Sequence, residues 1–306
     1  MLGFNQKDYL HIGQFVSPVL EQEMWLDWAD TSDAVALGLT SHEPNDVIVD
    51  GHHFVAIPGA YTQVRERALS EFTSGKFENV EAVLQLAEKL CTECRVMAES
   101  VSGEASSDDV VSMFALMKRL RFPWMAFQPI GDAGEAWMRD YAVKQGREES
   151  ELVQQIPDLP NSLSHDQEQL REFRRRIQSR QLPFDMAVIK NKDKQLAQDI
   201  ESYQRATAHV GTHHFWGEHR TTTSLLDTIK HVDDESAKHT KEKSNPTQFD
   251  ILARAVKWRL ECAEASSLLG YAFRPTLTSI ADRHGMQYGD LIFLTSEEIF
   301  NARQTL

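Results

Sequence analysis

The sequence predicts a mainly α fold, a multi-helix assembly with one small β-hairpin near the N-terminus. Apolar residues recur every three to four positions from about Thr62 onward, which is the spacing of one helix face. The run from Val47 to Ile57 is typical of strands instead, because Asp50-Gly51 is a hairpin turn between two β-rich stretches. We therefore expect an N-terminal segment with the hairpin, residues 1–61, followed by a helical domain, residues 62–306.

Capping and breaking residues divide the helical part. Residues 103–109 are expected to form a loop that ends in a good N-cap for a helix over 110–120. That helix is expected to end before Pro123, because proline disfavours helical geometry at the preceding residue. Apolar spacing predicts further helices over 134–144, 162–179, 194–208 and 221–229. The last long helix, 249–284, is expected to kink or break near Gly270 and Pro275. Thr295 and Glu298 predict a capping box for a final short helix.

The net charge and the cysteine count disfavour several classes of function. The chain has 306 residues and a formal net charge of −14. This charge disfavours nonspecific nucleic-acid binding, which needs a cationic surface, and docking on an anionic membrane. The N-terminal residues show no basic stretch followed by a long apolar run, so no secretory signal is predicted. The three cysteines, Cys91, Cys94 and Cys262, are too few for a disulfide framework, so they are expected to be small buried hydrophobes in a cytoplasmic protein.

The densest group of potential ligands lies between residues 208 and 220. Four imidazoles and a carboxylate can hold zinc or iron, although Gly211 and Gly217 weaken a helix here and no H-E-x-x-H spacing occurs. Trp216 adds stacking area, and histidines can act as acid or base near neutral pH, so a substrate pocket is the alternative that we prefer. The third interpretation is that these histidines are structural or solvated and bind no ligand. The predicted substrate-binding residues are His209, His213, His214, Trp216, Glu218 and His219; no metal ligand and no catalytic residue is assigned.

Three passages resemble the phosphoenolpyruvate-utilising phosphotransferases. Asp290 to Ile299 is similar to the D-[IL]-[FY]-[FY]-L-T-x-E-E-[IL] turn that precedes the mobile histidine domain of phosphoenolpyruvate synthase-like and rifampicin phosphotransferase-like proteins. Residues 208–227 resemble a tryptophan- and glycine-containing passage upstream of it, and residues 50–54 resemble the hairpin after the nucleotide-grasp domain. The order of the three passages agrees with the family.

The resemblance covers only the family's central helical region, which holds the acceptor substrate or acts as a linker. The sequence has neither a glycine-rich nucleotide-grasp segment nor a G-G-x-[TS]-[CS]-H-x-A motif, so phosphoryl transfer by this chain alone is not expected. The resemblance implies two partners, a nucleotide-grasp protein that binds ATP and magnesium and a phosphohistidine-domain protein, together with a small-molecule acceptor. No cofactor is expected on this chain. The alternatives are a stand-alone metal-dependent enzyme that uses the 209–219 cluster and a noncatalytic structural adaptor.

Overall fold

A computed structural model describes residues 9–14, 18–26, 28, 31–39, 46–49, 52–56, 59–101, 105–212, 214–233 and 246–299. Within these ranges the protein is mainly helical, which confirms the predicted fold class. No helix in the described part is long and apolar enough to cross a membrane.

A small antiparallel sheet is formed by β1 (Tyr9–Gln14), β2 (Asp46–Val49) and β3 (His52–Ala56), in the order β1-β3-β2. Val47 pairs with Phe54 across β2 and β3, and Tyr9 pairs with Ala56 across β1 and β3. The Asp-Gly turn predicted at 50–51 lies outside the described residues. The hairpin as a whole therefore stays a prediction.

The helices follow in chain order. The first six are α1 (Val19–Leu26), α2 (Ser32–Ala36), α3 (Ala60–Ser74), α4 (Glu78–Ser100), α5 (Ser107–Gln145) and α6 (Glu149–Val153). The next six are α7 (Ser162–Ser179), α8 (Met186–Lys192), α9 (Lys194–Ala206), α10 (Thr222–His231), α11 (Thr247–Arg283) and α12 (Tyr288–Leu291). A last helical turn covers residues 296–299, and reciprocal hydrogen bonds between Thr295 and Glu298 confirm the predicted capping box.

The main core lies between α3, α4, α5 and α11, which pack side by side. Leu20 of α1 and Trp28 are fully buried in the same core, and the Trp28 ring stacks on Phe122 of α5 at a centroid distance of 6.2 Å. The N-terminal elements thus pack against the helical part, whereas the predicted division at residues 61 and 62 stays a prediction. A second, smaller core joins α7, α8, α9 and α10.

The predicted helix end before Pro123 is wrong, and so is the alternative of an interruption near Gly270 and Pro275, whereas a kink there stays a prediction. A single helix, α5, runs through Pro123 and Pro129, and α11 runs through Gly270 and Pro275 without interruption. An interior proline costs about 3 kcal/mol, but each fully buried apolar side chain contributes about 1.5–3 kcal/mol. The prolines of α5 are flanked by buried Phe122, Phe127 and Ile130, so packing of the long helix outweighs the local preference.

Candidate binding cleft and buried cluster

Residues 208–212 and 214–220, here called the connecting segment, lie between α9 and α10 and along one face of α11. His209 contacts Glu264, the backbone of His214 packs on Gly270, and the Gly217 carbonyl accepts a hydrogen bond from Arg274 at 2.8 Å. The His214 backbone N–H also lies 3.5 Å from the Ser267 hydroxyl, so the α11 contacts are spaced by three or four residues and fall along one side of the helix. The C-terminal Tyr288 adds a hydrogen bond from its hydroxyl to the Phe215 carbonyl.

The backbone of the connecting segment is not helical. Gly211, His214 and Gly217 have φ angles of 112°, 55° and 90°, which lie in the left-handed region. A Cβ atom at Gly270 would lie 2.2 Å from the carbonyl oxygen of His214, so only glycine permits this close approach. As a result, side chains of the connecting segment leave in different directions rather than along one helix face.

His209 lies on the wall of a polar cleft of about 510 Å³. The cleft is bounded by α7, α9, the connecting segment and α11. Its lining includes Ser162, His165, Asp166, Tyr203, His209 and Glu264. Imidazole, carboxylate, phenol and hydroxyl groups therefore meet in one concave surface, as in sites that orient a polar small molecule.

Glu264 is shared between a histidine and an arginine. Its Oε1 atom lies 3.0 Å from Nε2 of His209, and its Oε2 atom accepts a hydrogen bond of 3.1 Å from Arg95 of α4. Burial alone would favour the neutral acid, but the His209 hydrogen bond and the Arg95 charge prevail and lower the pKa of Glu264. An ionised carboxylate only accepts hydrogen bonds, so Nε2 of His209 carries the hydrogen. In the neutral imidazole this leaves Nδ1 as the basic nitrogen.

Asp166 of α7 also lines the cleft and is held by two partners. Arg220 donates two hydrogen bonds to its carboxylate, at 2.6 and 2.9 Å, and the Tyr203 hydroxyl donates a third. Despite burial, the hydrogen bonds from Arg220 and Tyr203 lower the pKa of Asp166. Burial and the adjacent carboxylate raise the pKa of Tyr203. Asp166 is thus a fixed anion, and Tyr203 stays a neutral phenol.

His214 and Trp216 leave the other side of the connecting segment and enter a buried cluster with Glu21 and Arg121. Glu21 Oε2 accepts a hydrogen bond of 3.0 Å from the Trp216 indole, and its Oε1 lies 3.3 Å from Nε2 of His214. The Arg121 guanidinium lies 4.5 Å from the centre of the Trp124 ring. Burial lowers the pKa of Arg121 to about 10, so this arginine is still charged at neutral pH.

The structure does not bring the six sequence-predicted binding residues into one pocket. His209 lines the cleft, His214 and Trp216 join the buried cluster, and Glu218 and His219 are exposed. His213 lies outside the described residues. Among the residues that the structure describes, no group of three or more His, Cys, Asp or Glu side chains is placed to hold a metal ion. The substrate-binding role of the set stays a prediction.

Sequence reasoning missed most of the cleft. Glu264, Asp166 and Tyr203 come from three different helices, and in the sequence each reads as a polar residue on a solvated helix face. One sequence feature could have indicated a site. Glu261 and Glu264 are spaced by three residues, which places their carboxylates on one face of a helix. Their common partner, Arg95, is far away in the chain, so the signal did not reveal the pairing.

No protein-family model matches the sequence, and no match was found among curated proteins or solved structures. The resemblance to phosphoenolpyruvate-utilising phosphotransferases therefore depends on the three passages alone.

Proposed function

We propose that the chain is a helical acceptor-binding module of a phosphoenolpyruvate synthase-like phosphotransferase system, and that the cleft beside His209 holds the acceptor. The observation that carries this proposal is the pairing of His209 with Glu264, at 3.0 Å, on the wall of the cleft. A histidine oriented by an ionised carboxylate is an arrangement that serves as a general base in many enzymes.

The proposed chemistry is transfer of a phosphoryl group from a partner's phosphohistidine to an acceptor hydroxyl. The hydroxyl oxygen forms the new P–O bond, the P–N bond of the phosphohistidine breaks, and the hydroxyl proton must leave. Nδ1 of His209 accepts that proton, and the Glu264 carboxylate stabilises the resulting imidazolium. Most of the rate gain in phosphoryl transfer comes from positioning and electrostatics, which is a suitable task for a binding module.

The size and polarity of the cleft favour a small polar acceptor. A volume of about 510 Å³ is within the range of pockets that bind small molecules. Asp166, Tyr203 and His165 offer acceptors and donors for hydroxyl or amine groups. An ATP-binding nucleotide-grasp protein and a phosphohistidine protein supply the phosphoryl group, so ATP and magnesium belong to the partners.

The experiment is an NMR binding screen of the purified chain against hydroxyl-bearing small molecules such as sugars, amino alcohols and nucleosides. We expect binders whose chemical-shift changes are centred on α7, α9 and α11 around His209. A His209→Ala variant should lose these changes, and the matched control His219→Ala, on the exposed part of the same segment, should keep them. Binders that perturb only other surfaces, or that bind His209→Ala equally well, would contradict the proposal.

A further inference from the structure

We infer that Arg95 is a positioning residue for the His209–Glu264 pair. This inference rests on the proposed function, because it assigns Arg95 to the same cleft. Arg95 belongs to α4 and is not among the residues that line the cleft. Any effect of this arginine on a bound molecule must therefore pass through the two carboxylates that it contacts, Glu264 and Glu261.

Arg95 bridges two carboxylates of α11. Its Nη2 atom donates to Glu261 and, at 3.1 Å, to Glu264. The second oxygen of Glu261 accepts a hydrogen bond of 2.7 Å from the backbone N–H of Ser162, the first residue of α7. One guanidinium thus connects α4, α11 and the start of the helix that forms a wall of the cleft.

This bridge fixes the rotation of the Glu264 carboxylate. Oε2 is held by Arg95, so Oε1 faces Nε2 of His209. Glu261 and Glu264 are close enough to share one guanidinium, and without its positive charge the two anions would repel each other. Glu264 would then rotate or take up a proton, and His209 would lose the partner that selects its tautomer.

Loss of Arg95 should change the tautomer of His209 in particular. With Glu264 held, the neutral His209 ring carries its hydrogen on Nε2 alone, and Nδ1 is the base. Without Arg95, both tautomers should be populated, and a fraction of the protein would present an N–H where a base is needed. A purely structural ion pair between α4 and α11 has no such effect.

Nitrogen-15 NMR of the histidine rings in the full chain tests this inference, with His209 assigned through a His209→Gln variant. In the wild type, at a pH where the His209 ring is neutral, we expect one tautomer. Arg95→Gln should move the Nδ1 and Nε2 shifts toward each other, because the tautomers mix, and should raise the pKa of Glu264. Arg95→Lys, which keeps the positive charge on a shorter side chain, should be intermediate.

The matched control is Arg254→Gln. Arg254 of α11 pairs with Glu81 of α4, so it bridges the same two helices without contacting the cleft. This variant should keep the wild-type tautomer. If Arg95→Gln does not fold, Arg95→Lys provides the second test, because it keeps a positive charge beside the two carboxylates. A wild-type tautomer in Arg95→Gln, or in Arg95→Lys where Arg95→Gln does not fold, would overturn the inference. The readout needs no ligand, so failure of the acceptor screen would leave its result interpretable.

Discussion

The Oε1 atom of Glu21 lies 3.3 Å from Nε2 of His214, and the two side chains are only 1% and 2% exposed. The other oxygen of Glu21 accepts the indole hydrogen of Trp216. Helix α1 is therefore tied to the connecting segment by one carboxylate inside the core. Buried carboxylates are tolerated only when charged or hydrogen-bonding partners surround them.

Glu21→Ala should strongly destabilise the protein. Removal of one member of a buried charged group costs about 3–5 kcal/mol, because its partners remain in the core. The free energy of unfolding in urea measures this loss. Glu151→Ala, which breaks the exposed pair with Arg147, should cost less than about 1 kcal/mol. Equal losses for the two variants would show that Glu21 does not hold the cluster.

Two glycine substitutions should act in opposite directions. Gly270→Ala places a methyl group 2.2 Å from the His214 carbonyl oxygen, so the connecting segment must shift, at a cost of about 1–3 kcal/mol. Gly131→Ala, inside α5, meets nothing within 4 Å and should stabilise the protein by up to about 1 kcal/mol. Thermal unfolding of both variants shows whether each substitution lowers or raises the stability of the protein. A stable Gly270→Ala would mean that the segment does not lie against α11.

The two cleft carboxylates should make stability sensitive to acid. Asp166 and Glu264 have lowered pKa values in the folded protein. Their contribution to the free energy of unfolding is complete above the carboxyl pKa of the unfolded chain, about 4. It is lost as the pH falls through the lowered pKa values of the folded protein. Asp166→Asn should therefore lower stability at neutral pH and reduce the further loss on acidification. Urea midpoints at several pH values measure this, with the exposed Glu66→Gln as control. An unchanged pH profile for Asp166→Asn would contradict the prediction.

The three cysteines should be unreactive in the folded protein. Cys91, Cys94 and Cys262 are free and buried, as the sequence predicted, and burial raises the pKa of Cys94 and Cys262. Because the thiolate is the reactive form, a colorimetric disulfide reagent should modify them only after unfolding. Rapid modification of any of the three under native conditions would show that this part of the α4–α11 interface opens.

The sequence predicted the helical class because apolar spacing is a local property. It failed at Pro123, where the local preference of proline for a helix end and the packing of buried apolar side chains disagree, and packing decides. The capping box of Thr295 and Glu298 was predicted, because it satisfies its own helix start within four residues, whereas the helix expected from Val110 begins at Ser107 with Ser106 as its N-cap.

The candidate site was only partly visible in the sequence. The 208–220 segment was singled out by its histidines, and His209 does lie at the cleft. Its partners Glu264 and Arg95 depend on how α4, α9 and α11 pack, which no local pattern encodes. His214 looked equivalent to His209 in the sequence, yet a positive φ angle and the close approach to Gly270 place it in the core.

The most direct test of the account is the dissociation constant of an acceptor from the NMR screen, measured by calorimetry for the wild type, His209→Ala and His219→Ala. Loss of one hydrogen bond to a chargeable group should cost about 1.5–3 kcal/mol of binding, which corresponds to a roughly 10- to 150-fold weaker affinity for His209→Ala. His219→Ala should bind like the wild type. If the two variants bind equally well, with unchanged melting temperatures, the cleft beside His209 is not the acceptor site.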